Sequence, residues 1–343
     1  SGGLQALPRK EVVMTIATLS ARINLEQTRK QAKDLLKSFK AGDQKTLDYV
    51  RWNHPRFKGL SDTEIIARNF QLADAQLVLA RLHGFVRWPK LLEHIDLLEK
   101  KDPRIMRFEN AADAIVGGDI PALQRMLRED SHLIHARSTR SQRAPLIHYV
   151  SANGIEGYRQ VTPPNIVEVA EVLLDAGAEV DAVSDAYGGG WTTLGLVASS
   201  AHPRRAGVQI PLMDLLLSRG AAIEGAHPTV TLVAGALANG CPEAARALVE
   251  RGARVDDVAT AAGVGRPDLV MRLADGATRE QLEKALFAAS WYGTTESHPD
   301  DLARRDYPAV IDMLLAAGAR DDLYPEMKAR IDEVYRRAGR ARR

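Results

Sequence analysis

The sequence predicts an all-α protein, an irregular solenoid of about six helix pairs behind an N-terminal helical unit. Three observations carry that prediction. A phrase of paired apolar residues followed by Gly-Ala returns several times in the second half of the chain. Aromatic residues make up only 5% while alanine and leucine abound, which favours close helix packing over a β-sandwich. The length of 343 residues fits one long array or a few domains, at roughly 100–200 residues per domain. A lone cysteine, Cys241, excludes an intrachain disulfide framework and a Cys-rich zinc site. No apolar run approaches the roughly 18–20 residues that span a bilayer. Ser1-Gly2-Gly3 reads as an expression remnant with no secretory signal behind it, so residues 1–8 are set aside as disordered and a cytoplasmic location is expected.

Residues 9–105 read as a helical cap unit. Leu25, Ala32, Leu35, Leu36 and Phe39 recur at helical spacing, and Ala41-Gly42-Asp43 stops that helix. A short segment from Leu47 to Trp52 ends at His54-Pro55, where proline blocks continuation. Ser61-Asp62-Thr63-Glu64 is a capping box: the serine oxygen accepts from a free N–H and the glutamate reaches back to the cap. Leu72 to Arg81 forms the next helix, stopped by Gly84. Trp88-Pro89 opens another, with Leu91, Leu92, Ile95 and Leu98 on its inner face. Phe85 and Trp88 read as core anchors, and His54, His83 and His94 as packing or surface residues.

Residues 106–325 carry the array. The phrase appears at Leu173-Leu174-Asp175-Ala176-Gly177-Ala178, Leu216-Leu217-Ser218-Arg219-Gly220-Ala221, Leu248-Val249-Glu250-Arg251-Gly252-Ala253 and Leu314-Leu315-Ala316-Ala317-Gly318-Ala319, with a shorter echo at Leu273-Ala274-Asp275-Gly276-Ala277. A helix pair this small cannot bury its apolar face alone, so neighbours must stack on it. The glycine after the second helix takes a left-handed conformation that side chains disfavour. These phrases, with Ala144-Pro145-Leu146, Thr192-Thr193-Leu194 and Ala-Asn-Gly at 152–154 and 238–240, resemble the ankyrin-repeat family. The helical leader is similar to that of some bacterial ankyrin-repeat proteins. The resemblance implies a module that binds protein partners along its concave surface and hairpin tips. Residues 326–343 read as a C-terminal helix and a basic tail.

Ankyrin repeats recur about every 33 residues, but the turn glycines here lie 43, 32, 24 and 42 residues apart. The surplus falls between the two helices of a repeat, at 153–164, 199–209 and 290–308, and a widened finger spans 185–191. These stretches set Tyr, Trp, His, Arg and Gln among Gly and Pro, the residue types of binding hot spots. They are expected to bulge from the stack and present Tyr158, Arg159, Gln160, Tyr187, Trp191, His202, Arg205, Gln209, Trp291, Tyr292 and His298 to a protein partner. The alternative is a small-molecule receptor or a metal- and cofactor-independent hydrolase or lyase, in which His148, His202, His298, Asp300 and Arg205 converge for acid–base work. No cofactor or metal is expected, since no P-loop, dinucleotide fingerprint or zinc motif occurs. A third reading has the N-terminal helices mediating self-association.

The formal charge of +2 hides a split. Residues 1–109 hold 20 Lys/Arg against 13 Asp/Glu, and residues 110–343 hold 26 against 31. An acidic array argues against nucleic acid, whose binders present a basic stripe to phosphate. No membrane partner is expected.

Overall fold

The computed structural model describes residues 24–295, 306–323 and 325–342. Among the described residues the N-terminal unit holds five α-helices: α1 (Leu25–Lys40), α2 (Gln44–Asn53), α3 (Asp62–Ala67), α4 (Leu72–Leu82) and α5 (Trp88–Glu99). Their starts follow capping chemistry. Asn24 accepts from Gln27 N, Asp43 from Thr46 N, and Ser61 and Glu64 form the reciprocal box. Leu35, Phe39, Leu47, Val50, Phe57, Ile65, Phe70 and Val78 make a common core, with the Phe39 and Phe70 rings stacked at 4.1 Å between centroids.

The remainder is an irregular all-α solenoid. Its helix pairs are α6 (Pro103–Gly117) with α7 (Ile120–Glu129), the 3-10 segment Leu146–Ser151 with α8 (Ile166–Asp175), and α9 (Thr193–Ala198) with α11 (Gln209–Ser218). A short α10 (Ala201–Arg205) sits between the last two. There follow α12 (Leu232–Ala238) with α13 (Pro242–Glu250), α14 (Val258–Gly263) with α15 (Pro267–Ala274), and α16 (Arg279–Thr295) with α17 (Tyr307–Ala316). The first members stack in a row, α6 on the 146–151 segment, then α9, α12, α14 and α16, and α18 (Met327–Arg337) closes the end against α16. One apolar core runs from Phe108 to Tyr335. Small residues make the close approach: Ala111, Ala170, Ala198, Ala236, Ala244, Ala261 and Ala285 are all fully buried. The turn glycines Gly177, Gly220, Gly252 and Gly318 take φ between +90° and +101°. Among the described residues the only strands are a two-residue antiparallel ribbon, Val183–Ser184 with Trp191–Thr192, in the widened finger.

Gly118, between α6 and α7, combines φ +70° with a site where a Cβ would lie 2.3 Å from Asn165 Oδ1. Asn165 Nδ2 donates to the Gly118 carbonyl and so ties the first repeat to the second. Gly118→Ala is expected to cost about 1–2 kcal/mol, read as a lowered denaturation midpoint with an unchanged m-value.

Two expectations need correction. The second repeat does not open on an α-helix; residues 146–151 form a 3-10 segment that ends in Ala152 at φ +48°. The long stretch that follows does not bulge freely. Ile155, Glu156 and Arg159 are buried, because the chain turns inward between the N-terminal helices and α6, where charged partners await both ionic side chains.

Candidate functional site

The inward turn creates a buried ionic cluster at the junction of the N-terminal unit and the first two repeats. Glu109 comes from α6, whose apolar neighbours Phe108, Ala112 and Ile115 place it against the core. Arg140 comes from the finger before the 146–151 segment, and Arg159 from the inward turn; each is 1% exposed. Arg140 donates to Glu109 from Nη1 (2.5 Å) and Nη2 (3.0 Å), to the His83 carbonyl from Nε (3.1 Å), and to the Tyr158 hydroxyl (2.9 Å). Arg159 donates to Glu109 Oε2 (2.7 Å), Glu156 Oε1 (2.6 Å), Asp113 Oδ1 (2.8 Å) and the Glu109 carbonyl (3.1 Å). Its guanidinium lies 5.2 Å from the Tyr158 ring centroid and 5.9 Å from that of Tyr149. Every guanidinium nitrogen of both arginines has an acceptor, the condition under which buried charges are tolerated.

Burial alone would raise the Glu109 carboxyl, but Arg140 and Arg159 outweigh it and hold the group well below the ordinary carboxylate range. Burial, then the Arg140 charge, pushes His83 down to about 3 and His94 to about 4. Both imidazoles are therefore neutral at physiological pH. His94 Nδ1 pairs with the Thr139 hydroxyl at 3.0 Å, whereas neither ring nitrogen of His83 has a hydrogen-bond partner among the described residues. The cluster braces one unit against the other.

A cleft of about 620 Å³ opens above this brace. It is lined by Tyr49 and Asn53 of α2, Arg81 of α4, residues 154–158, Gln160, and Asp185 to Tyr187 of the widened finger. Val86 is 56% exposed at its rim and Tyr187 is 66% exposed. Tyr187 holds φ +53°, a conformation that costs a side-chain-bearing residue about 1–2 kcal/mol. Its hydroxyl donates to Asn153 Oδ1 (2.7 Å) and accepts from Gly154 N (3.3 Å), which fixes the ring at the cleft. Such strained residues concentrate where ligands are held. Asn53, Gln142 and Gln160 each use their amide nitrogen internally, on Tyr49 O, Glu156 and Ile155 O. Their amide oxygens have no intramolecular donor among the described residues, so the cleft presents three acceptors.

The structure groups only some of the residues expected at a binding surface. Tyr158, Gln160 and Tyr187 line the cleft, and Arg159 lies buried beneath it. Trp191 packs within the stack: its ring lies against His227 at 4.8 Å, and a Cβ on Gly195 or Gly235 would come within 3.2 Å of it. Gln209 is buried and donates to the carbonyls of Val197, Ala198 and Ser200. His202 and the exposed Arg205 share α10, which does not reach the cleft lining. Trp291 continues α16, under the Arg330 guanidinium at 4.3 Å, and Tyr292 donates to Leu237 O at 2.6 Å. His298 and Asp300 lie outside the described residues. Of the acid–base candidates, His148 is fully buried with Nε2 2.8 Å from Ala182 O, and burial pushes it down to about 4. It pins the next finger and makes no hydrogen bond to His202 or Arg205 among the described residues.

Sequence reasoning missed Glu109, Asp113, Arg140, Gln142, Tyr149 and Glu156. Their types and spacing match an ordinary solvated surface, and only Arg159 and Tyr158 drew notice, through the anomalous repeat length.

No family model matches the chain, and no curated protein matches it in sequence. Among solved structures, the human ASB11 ankyrin repeat domain resembles it with a TM-score of 0.38 and 19% identity, over 62% of this chain and 85% of that one. The fold assignment rests on the helix-pair geometry described above. Among the described residues no helix is long and apolar enough to cross a membrane.

Proposed function

We propose that the protein is a recognition scaffold that binds a protein partner by seating an extended segment of it in the cleft between α2, α4 and the second-repeat turn. The observation that carries this reading is the cleft's chemistry. Three amide oxygens with no intramolecular donor among the described residues suit the backbone N–H groups of an extended chain, and exposed Val86 and Tyr187 offer apolar contact at the same cleft. The ionic brace beneath holds the walls in place, which lowers the ordering cost of binding. The titratable groups under the cleft are tied to one another, consistent with a structural role for them.

A random peptide library selected against the immobilised protein tests this. With p-benzoylphenylalanine at Val86, selected peptides are expected to cross-link; with the same group at Met271, which is 68% exposed on α15, they are not. Tyr187→Ala is expected to weaken those peptides by about ten-fold, the usual effect of truncating an aromatic anchor. Equal cross-linking from both positions would refute the assignment of the cleft.

A further inference from the structure

A second surface lies on α1, apart from the cleft. Its inner face, Thr28, Ala32, Leu35, Ser38 and Phe39, is buried, and its outer face carries Arg29, Lys30, Lys33, Lys37 and Lys40, all exposed. Lys30, Lys33, Lys37 and Lys40 follow one another at three or four residues, with Arg29 beside Lys30, which sets them along one side over about 16 Å. None of the five has an ion-pair partner among the described residues, although Glu26 and Asp34 share the helix. Some surface cations elsewhere are paired along their own helices, as in Lys90–Glu93 (2.6 Å), Lys100–Asp96 (2.7 Å) and Lys284–Glu280 (2.7 Å), and others, such as Arg125 and Arg128, have no such partner among the described residues; α1 differs in gathering five of them on one helix. A groove beside the first half of α1 is lined by Arg29, Lys30 and Lys33 together with Asn24, Glu26 and Glu99. The Glu99 carboxylate there already accepts from Leu25 N.

We infer that the outer face of α1 docks an acidic polypeptide segment. Charge complementarity supplies the attraction, and the geometry selects the class of polyanion. A stripe of about 16 Å matches some five residues of extended chain at roughly 3.3 Å each. Residues 110–343 carry five more carboxylates than cations, so a polyanion long enough to reach past the N-terminal unit is repelled there. The apolar residues of α1 are buried or half-buried, so the helix offers nothing to insert into a lipid surface.

Anisotropy with a labelled peptide of alternating Glu and Ser, about a dozen residues long, tests the inference at about 50 mM salt, where surface charge is weakly screened. An oligothymidylate of equal charge and phosphatidylserine vesicles serve as the competing probes. The peptide is expected to bind most tightly, to lose its affinity at high salt, and to bind Lys30→Glu/Lys33→Glu at least about ten-fold more weakly. Lys30→Arg/Lys33→Arg should retain binding, and Arg29→Gln/Lys30→Gln/Lys33→Gln, which adds no new repulsion to the helix, should lose it with an unchanged melting curve. The inference is overturned if charge reversal leaves the peptide's affinity intact, or if the oligonucleotide or the vesicles bind more tightly.

Discussion

Arg140→Ala is expected to lower the unfolding free energy by about 3–5 kcal/mol, the cost of removing one partner from a buried ionic network. The substitution deletes both hydrogen bonds to Glu109, the bond to the His83 carbonyl and the bond to the Tyr158 hydroxyl, all made by a side chain that is 1% exposed. Glu109 would keep Arg159 alone. Chemical denaturation measures the loss, and a change below about 1 kcal/mol would show that the cluster is dispensable. Arg159→Ala acts on the same carboxylate, so the double variant should lose less than the two single losses combined. Strict additivity would mean that the arginines do not share one network. Because Arg140 joins the end of α4 to the second repeat, its loss should also speed proteolysis between Gly84 and Trp88 while sites in α12 and α13 remain protected.

The fold was legible because its signals are local. Each Gly-Ala phrase announces a left-handed turn from residues that sit side by side, and the Ser61–Glu64 box needs only four positions. The brace was illegible because its direction is set at a distance. Arg140 stands in Arg137-Ser138-Thr139-Arg140-Ser141-Gln142-Arg143, a stretch that looks uniformly solvated, yet its partner Glu109 lies 31 residues away. Nothing between them marks which of the three arginines turns inward. The placement of Trp191 is legible in the sequence. Gly195 and Gly235 interrupt two successive short helices with room for a large ring, and Trp191 fills that room. An aromatic residue in a finger beside glycines in the next helices is thus as good a sign of a wedge as of a hot spot. Tyr292, whose ring lies against Gly263 on the neighbouring α14, repeats the lesson.

Stability is expected to fall steeply on acidification, well before the carboxylates titrate. His83, His94 and His148 are buried and neutral, with folded pKa values of about 3, 4 and 4 against an ordinary 6.5. Below pH 6.5 the unfolded chain takes up protons that the folded chain refuses. The stabilisation is therefore complete above that pH, shrinks as pH falls toward 4, and levels off once the folded imidazoles titrate as well. Three such groups give a slope approaching about 4 kcal/mol per pH unit, so acidification to pH 5 removes an amount comparable with the lower end of the usual stability of about 5–15 kcal/mol. Glu109, held low by the arginines, adds a loss of the same sign only below its ordinary value of 4.5. Denaturation midpoints between pH 7 and 4.5 check this, and a flat profile over that range would contradict it. His83 separates the titration from any lost hydrogen bond, since its ring nitrogens bond to nothing among the described residues, its ring only packs beside Tyr158, and only its carbonyl serves Arg140. His83→Leu should leave stability at pH 7.5 equal or higher while lowering the acid slope by about one third, whereas His148→Leu should lower both, because its ring holds Ala182 in place.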